Sequence, residues 1–562
     1  MIPKKYNPYL EPLFVVALGI VSYCLHFFSY FDEFSSAIFF FNDPDDAKVY
    51  AWNTWHFAHQ IKQGAYPFYT DYICSPNGTS LWMHAYTIWF GLLHLIIGNI
   101  AMSINLGIAI QLVVSFVGFY RLARYFDIQY LLAISAAYLV VFNTYVLAKV
   151  GVHYNLVLIG VLPFILLSFL KWMPYQKGFR MNKKHALPTV LLLLVGFFMD
   201  YYVVFYSLAF GAVYLLWFGV LDAWFSFWSW KKMSVLLGAL VLGHISIRLL
   251  RILGIDEKGA IWAAADVRGL VNQGLNSRFF QNNIFGDLPH ALNDNKIFLG
   301  YSFIALFILS LLFYVQQKDK DKWTRFFLFA TTLFTFVTLP VIRIAGTDFW
   351  YNVTAVVHFI PFVNNVRSPD RFILLVFIFG TLFMARVVHL KWKAKSIKLS
   401  FTVFLLASVI LFYLEHVQQD MESISLPASK RGVLLETKGE NVLMLPFGIR
   451  DGYHQFGEFD ENHLLLQQWY EFKMPSGYLS RLNDETWSHY KSNELYANLA
   501  LIQQGIAIDG YDWHAALIKN DIDRLYLPKA SVAQNRDILK MIESLPANQI
   551  EDKNGFLFSL YK

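Results

Sequence analysis

Three carboxylates crowd into the pentapeptide Asn42-Asp43-Pro44-Asp45-Asp46, in a chain of which only 15% is charged. Two kinds of chemistry suit them. At the head of a helix predicted over Ala47–Gln63, Asp43 is a fitting N-cap and Pro44 suits the first helical position. Asp45 and Asp46 complement the positive end of the helix dipole, and Gly64 ends the helix. Alternatively, Asp43 or Asp46 is a general base or a metal ligand, tuned by the helix amides and by a nearby membrane edge. Both readings stay open at this point.

Three further polar groups fall, by the topology argued below, at the same outer membrane face. They are His153 with Asn155, then Asp200-Tyr201-Tyr202, and then Asn364-Asn365-Val366-Arg367-Ser368-Pro369-Asp370-Arg371. Each has a plain structural account. An interfacial histidine snorkels, Asp200 and Asp370 cap helices, the tyrosines belong to an aromatic belt, and Arg367 and Arg371 anchor the interface. Their convergence on one face argues for use, because ionisable groups at membrane depth cost several kcal/mol unless paired or employed. Arginines suit a phosphate or pyrophosphate. A carboxylate opposite them suits an acceptor hydroxyl. A lipid-linked sugar phosphate has all of these parts: a tail in the bilayer, a phosphate at the interface and a sugar outside.

The elements that must position these groups are set by composition. The 562 residues are 56% hydrophobic and 18% aromatic, with mean hydropathy +0.41. Many apolar runs reach the roughly 17–25 residues a bilayer demands. A polytopic α-helical membrane protein is expected, with the lipid bilayer as its first partner. The net charge of +6 sits in short loops, where it reads as a topology signal and not as a nucleic-acid surface. Two cysteines, Cys24 and Cys74, support neither a disulfide framework nor a thiolate metal site. With Lys4 and Lys5 in the cytoplasm, Leu13–Phe31 is a retained first span and 32–101 a large outer loop. Whether Trp82–Ile97 spans is the main ambiguity. Placing it on the outer face puts Arg121, Arg124 and the run Lys171 to Lys184 inside, as the charge rule favours. About eleven spans follow by the length rule, with further outer loops over 252–296 and 341–370.

From about Gln418 the composition changes, which divides the chain into a membrane domain over 1–417 and a small outer α/β domain over 418–562. Asn441–Phe447 and Ile522–Leu527 read as strands, and Asn493–Gln504 and Ser531–Leu545 as helices. Ile550–Tyr561 reads as a hairpin turning at Asn554-Gly555. No Gly-rich phosphate loop, Cys/His metal spacing or nucleophile elbow is present in it.

With these motifs in hand, the chain resembles the GT-C superfamily of membrane glycosyltransferases, and within it a bacterial mannosyltransferase-like branch. The first loop carries the similarity best: Asp43-Pro-Asp-Asp46 with Trp52 and Trp55, Tyr66-Pro67-Phe68-Tyr69-Thr70, and Ser75-Pro76-Asn77-Gly78. Gly151-Val-His153-Tyr-Asn155-Leu156, Phe298-Leu-Gly300-Tyr301 and Arg367-Ser-Pro369-Asp-Arg371-Phe372 extend it through the spans. Leu443-Met-Leu-Pro446 and Gly477-Tyr478-Leu-Ser-Arg481 carry it into the outer domain. The resemblance implies a GT-C-like bundle with a first-loop aspartate as catalytic base, Asp43 first and Asp46 second. It also implies a polyprenyl-phosphate sugar donor and a glycan, lipid or protein acceptor. The setting it implies is the bacterial inner membrane, with the C-terminal domain extracytoplasmic. His153, Asn155, Asp200, Tyr201, Arg367 and Arg371 are the expected substrate-binding residues. Some members use a second acidic residue after the third span to position a metal or the acceptor. Here that place holds His153, and Asp200 is the nearby substitute. The pattern fixes no cofactor, and His153 at that place leaves metal dependence open. If a divalent cation such as Mg or Mn takes part, Asp43 and Asp46 are its candidate ligands.

Two other classes compete. A transporter or flippase of a lipid-linked or anionic substrate would want ionisable residues within spans and interrupted helices in paired halves. Most spans are uniformly apolar, and the short one ending at Asp200 is that reading's best support. An inactive relative serving as an assembly subunit would keep the same carboxylates as helix caps.

Overall fold

The computed structural model describes residues 10–41, 44–175, 178–222, 230–252, 264–272, 278–279, 297–317, 321–355, 368–393, 399–418, 420–426, 433–506, 508–529 and 536–561. Asp43, Arg367 and most of the expected 252–296 loop lie outside them. The chain is mostly helical and divides into two compact units. One joins Met1–Phe31 to Ile108–Met421, and the other joins Asp32–Gly107 to Glu422–Lys562.

Among the described residues, four helices are long and apolar enough to cross a membrane: Leu10–Glu33, Ile100–Tyr125, Tyr201–Leu221 and Pro369–Lys391. A fifth crossing results if Tyr130–Val141 and Thr144–Val150, bent by 49° at their junction, count as one span. By length and composition this is a multi-pass membrane protein. The junction is built by Asn143. Its amide donates to the Val140 carbonyl at 2.7 Å and its side-chain oxygen accepts from the Val146 N–H at 3.1 Å. Backbone groups freed by the break thus find partners, which irregular backbone at membrane depth requires. Other apolar runs fold as shorter helices, among them Leu162–Trp172 and Tyr301–Val315.

In the first unit Ile373–Lys393 is the central helix, packed by Lys322–Thr338, Tyr301–Val315 and Tyr130–Val141. Its apolar window is 78% buried, against 28% for the N-terminal helix, so one lies inside the bundle and the other presents its side chains outward. Close approach at the centre depends on Gly380, where an added Cβ would stand 2.8 Å from the Phe303 ring.

The second unit is built from two distant stretches of sequence. Ala37–Phe40, fully buried, pairs antiparallel with Glu422–Ser425, Ala37 opposite Ser425. Asp45–Lys62 forms the expected helix and packs on Ile88–Ile97 and on Asn462–Tyr470. Within Trp82–Ile97 only Ile88–Ile97 is helical, ten residues or about 15 Å, half the thickness of a bilayer core. Gly98, left-handed at φ 74°, ends it. A four-stranded sheet runs in the order Ala547–Glu551, Gly555–Leu560, Arg524–Pro528, Val442–Met444, with its last pair parallel. The hairpin expected at Asn554-Gly555 is its first pair. A three-stranded sheet places Gly448–Arg450 between Gly477–Tyr478 and Gln455–Gly457. One apolar core runs through both stretches of sequence, from Trp52, Trp55 and Ile73 to Leu443, Tyr490, Tyr496 and Leu525.

Candidate functional site

The head of the Asp45–Lys62 helix brings Asp45, Asp46, Lys48, Arg450 and Glu461 together. Its cap position falls at Pro44, one residue later than expected, and carries no side-chain cap bond. The helix is held by polar contacts deep in the core. Trp52 donates from Nε1 to Gln467 Oε1 at 2.6 Å, and its ring stacks on His56 at 4.6 Å. The Ser480 N–H donates to His84 Nδ1 at 3.0 Å, which leaves Nε2 to donate to Asn53 Oδ1 at 2.9 Å. Burial pushes His84 and His56 down to about 3, so both rings are neutral.

Asp45 and Asp46, adjacent on this first turn, have different surroundings. Asp45 stands 3.6 Å from Lys48 Nζ and 3.4 Å from an Arg450 guanidinium nitrogen. The same nitrogen lies 3.0 Å from Glu461 Oε1. Asp46 receives the Tyr478 hydroxyl at 3.5 Å. Arg450 lies over the Tyr478 ring, 4.9 Å from its centre. Glu461 is only 5% exposed, and its carboxyl is pushed up to about 7, first by burial and then by the charge of Asp45. His463 is buried with neither ring nitrogen hydrogen-bonded among the described residues, and burial pushes it down to about 4. Arg450, Tyr478, Glu461 and His84 were absent from the expected site residues. Only the Gly477-Tyr478-Leu-Ser-Arg481 motif carried a sequence signal for any of them.

A second cluster lies in the first unit. Asp200, extended at φ −165° and ψ 142°, caps the Tyr201–Leu216 helix by accepting the Tyr202 N–H at 2.7 Å. Its other oxygen accepts from Asn155 Nδ2 at 2.6 Å, so two of the expected residues meet. Tyr202, and not its neighbour Tyr201, carries the Arg371 guanidinium on its ring at 4.6 Å. Tyr201 is 39% exposed and packs edge-on against Phe197. Tyr206 donates to the Arg371 carbonyl at 3.0 Å and meets the Tyr145 hydroxyl at 3.2 Å. Buried Lys149 lies over the Tyr145 ring at 5.3 Å. Buried Lys149 and half-buried Arg371 therefore each rest on a tyrosine ring. Beside them Asp370 is 1% exposed, and neither of its oxygens has a hydrogen-bond partner among the described residues. His153 stands at the cap position of the Tyr154–Val157 turn without a side-chain cap bond.

Chemically, the first cluster offers a carboxylate with a tyrosine donor beside a neutralised neighbour, which suits proton removal. The second offers fixed cationic groups at the mouth of membrane-length helices, which suits an anion. Among the described residues, which leave out Asp43, no group of three or more His, Cys, Asp or Glu side chains is arranged to hold a metal ion.

No protein-family model matches the chain, and no curated protein matches it. Two solved structures of the Archaeoglobus fulgidus oligosaccharyltransferase are similar along its length. The apo form is 10% identical with a TM-score of 0.42, covering 100% of this chain and 75% of that one. The form tethered through a disulfide to an acceptor peptide containing the NVT sequon is 11% identical with a TM-score of 0.40, covering 99% and 74%. A likeness this distant carries no argument about activity.

Proposed function

We propose that this protein is a GT-C-type integral-membrane glycosyltransferase. It moves a sugar from a polyprenyl-phosphate donor to a glycan, lipid or protein acceptor at the outer face of a bacterial inner membrane, through a bundle of about eleven spans. Asp43 or Asp46 takes the proton from the acceptor hydroxyl as that oxygen bonds to the anomeric carbon. The bond from that carbon to the phosphate oxygen breaks, and the polyprenyl phosphate leaves with the electron pair. Arg371, with Arg367, holds the phosphate, and His153, Asn155, Asp200 and Tyr201 orient sugar or acceptor. Attack opposite the leaving group makes the transfer inverting.

The observation that carries this reading is Arg371. It is a cation laid on Tyr202 at the start of a membrane-length helix, with its Nε buried and unbonded among the described residues. A phosphate at the end of a lipid tail is a natural partner for such a group. The test is release of label from radiolabelled polyprenyl-phosphate sugars by the purified protein in lipid. Asp43→Asn and Asp46→Asn are compared with wild type. Loss of release in one variant that still inserts and folds names the base. The broken span at Asn143 favours a transporter as the second reading. Binding of the donor with no release by any variant or by wild type decides for that reading or for an inactive assembly subunit.

A further inference from the structure

We infer that Arg450 and Tyr478 are positioning residues that give the two adjacent first-turn carboxylates different tasks, tying Asp45 into an ion cluster and presenting Asp46 for proton removal. The inference rests on the reading of a first-loop aspartate as base.

Consecutive residues on a helix point about 100° apart, so Asp45 and Asp46 can serve separate surroundings from one turn. Two cations, Lys48 and Arg450, stand within 3.6 Å of Asp45. Arg450 is also fixed by Glu461 at 3.0 Å. Its place is set by the backbone: Arg450 and Tyr478 are register partners on the parallel strands Gly448–Arg450 and Gly477–Tyr478. That pairing sets guanidinium on ring at 4.9 Å. The ring's hydroxyl is then the group that reaches Asp46, at 3.5 Å. Strand Gly448–Arg450 is in turn pressed on Gln455–Gly457, since a Cβ at Gly448 would stand 2.7 Å from the Glu458 backbone. The central strand of this sheet and its parallel neighbour thus orient a helix head some four hundred residues away in sequence, with Arg450 and Asp45 separated by 405 positions. A planar guanidinium serves two carboxylates and a ring at once, and lysine does not.

The experiment compares Arg450→Met, Arg450→Lys, Tyr478→Phe and Asp45→Asn in the full chain in lipid. Two readouts are taken: label release from radiolabelled polyprenyl-phosphate hexoses, and amide hydrogen exchange over Asp45–Val49. Arg450→Met is expected to lower kcat about tenfold with donor KM changed less than about twofold, with Arg450→Lys recovering part of it. In the Asp45→Asn background, Arg450→Met should add nothing further. Tyr478→Phe keeps the ring and the fold and should lower kcat alone. Exchange at the helix head should quicken about tenfold in Arg450→Met while Val442–Met444 is unchanged. Unchanged turnover and unchanged exchange overturn the positioning role and leave the base to be judged by Asp46→Asn. Faster exchange confined to the helix head, in a protein whose wild type releases no label from any donor, upholds the positioning role and overturns the base reading.

Discussion

Gln467→Leu removes a side chain that joins the two stretches of the second unit while nearly keeping its volume. Gln467 is fully buried. Its Oε1 accepts from Trp52 Nε1 at 2.6 Å, and its Nε2 donates to the carbonyls of Tyr72 and Phe472, at 2.5 and 2.8 Å. Leucine leaves the Trp52 N–H buried without an acceptor, a loss of about 1–3 kcal/mol. The Tyr72 carbonyl keeps the Met474 N–H at 2.9 Å, so the Phe472 carbonyl is the second group left short. The sum is about 2–4 kcal/mol, with little cavity term because the volumes are close. If opening of the Asp45–Lys62 helix requires release from Asn462–Tyr470, its amides should exchange about a hundredfold faster, since about 1.4 kcal/mol is tenfold. Trp52→Phe together with Gln467→Leu should recover much of the loss, because neither partner is then orphaned. Hydrogen exchange read by mass spectrometry on the full chain in detergent measures this, with peptides from Ile373–Lys393 as an unaffected reference. Equal exchange in wild type and Gln467→Leu would refute the view that this bond holds the first-loop helix.

Two more outcomes follow from the same unit. Glu461, with its carboxyl at about 7 against an ordinary 4.5, binds its proton more tightly folded than unfolded. Its contribution is therefore fully present at low pH and is lost as pH rises from about 4.5 to about 7, by up to about 3 kcal/mol. His56, His84 and His463, pushed down to about 3 or 4, act with the opposite sign, adding stability as pH rises toward 6.5. The difference between wild type and Glu461→Gln isolates the first effect. In thermal unfolding from pH 5 to 8, wild type should lose ground to the variant as pH rises, and a constant difference refutes the assignment. Gly91→Ala should destabilise the packing of Ile88–Ile97 on Asp45–Lys62 by about 1–3 kcal/mol. The added methyl would stand 2.6 Å from the Phe57 ring, and Phe57→Leu in the same chain should relieve it. Limited proteolysis between Gly64 and Tyr86 reads both variants.

Much of the local structure was legible because it is decided by neighbours in sequence. The first-loop helix, the strands near Val442 and Arg524, the hairpin at Gly555 and the Asp200 cap all follow from spacing, turn residues and capping chemistry. Apolar runs also marked where helices form. Their length did not say which are long enough to cross, because breaks such as that at Asn143 and stops such as Gly98 depend on a single residue's bonds. Asn155 and Asp200 could be placed at one end of their helices from sequence, but the 2.6 Å bond between them depends on packing.

Composition and local pattern determined by themselves that this is a multi-pass helical membrane protein with carboxylates at the head of an amphipathic helix. Only the tertiary structure decided which groups those carboxylates meet. Tyr202 in place of Tyr201 beneath Arg371 is a matter of helical phase, fixed by what the helix packs against. The partners of Asp45 and Trp52 lie 405 and 415 positions away. Nothing local encodes such pairings. A side chain carries the capacity for an ion pair or hydrogen bond, but its partner is chosen when distant segments bury their apolar faces together and the polar groups trapped between them must be satisfied.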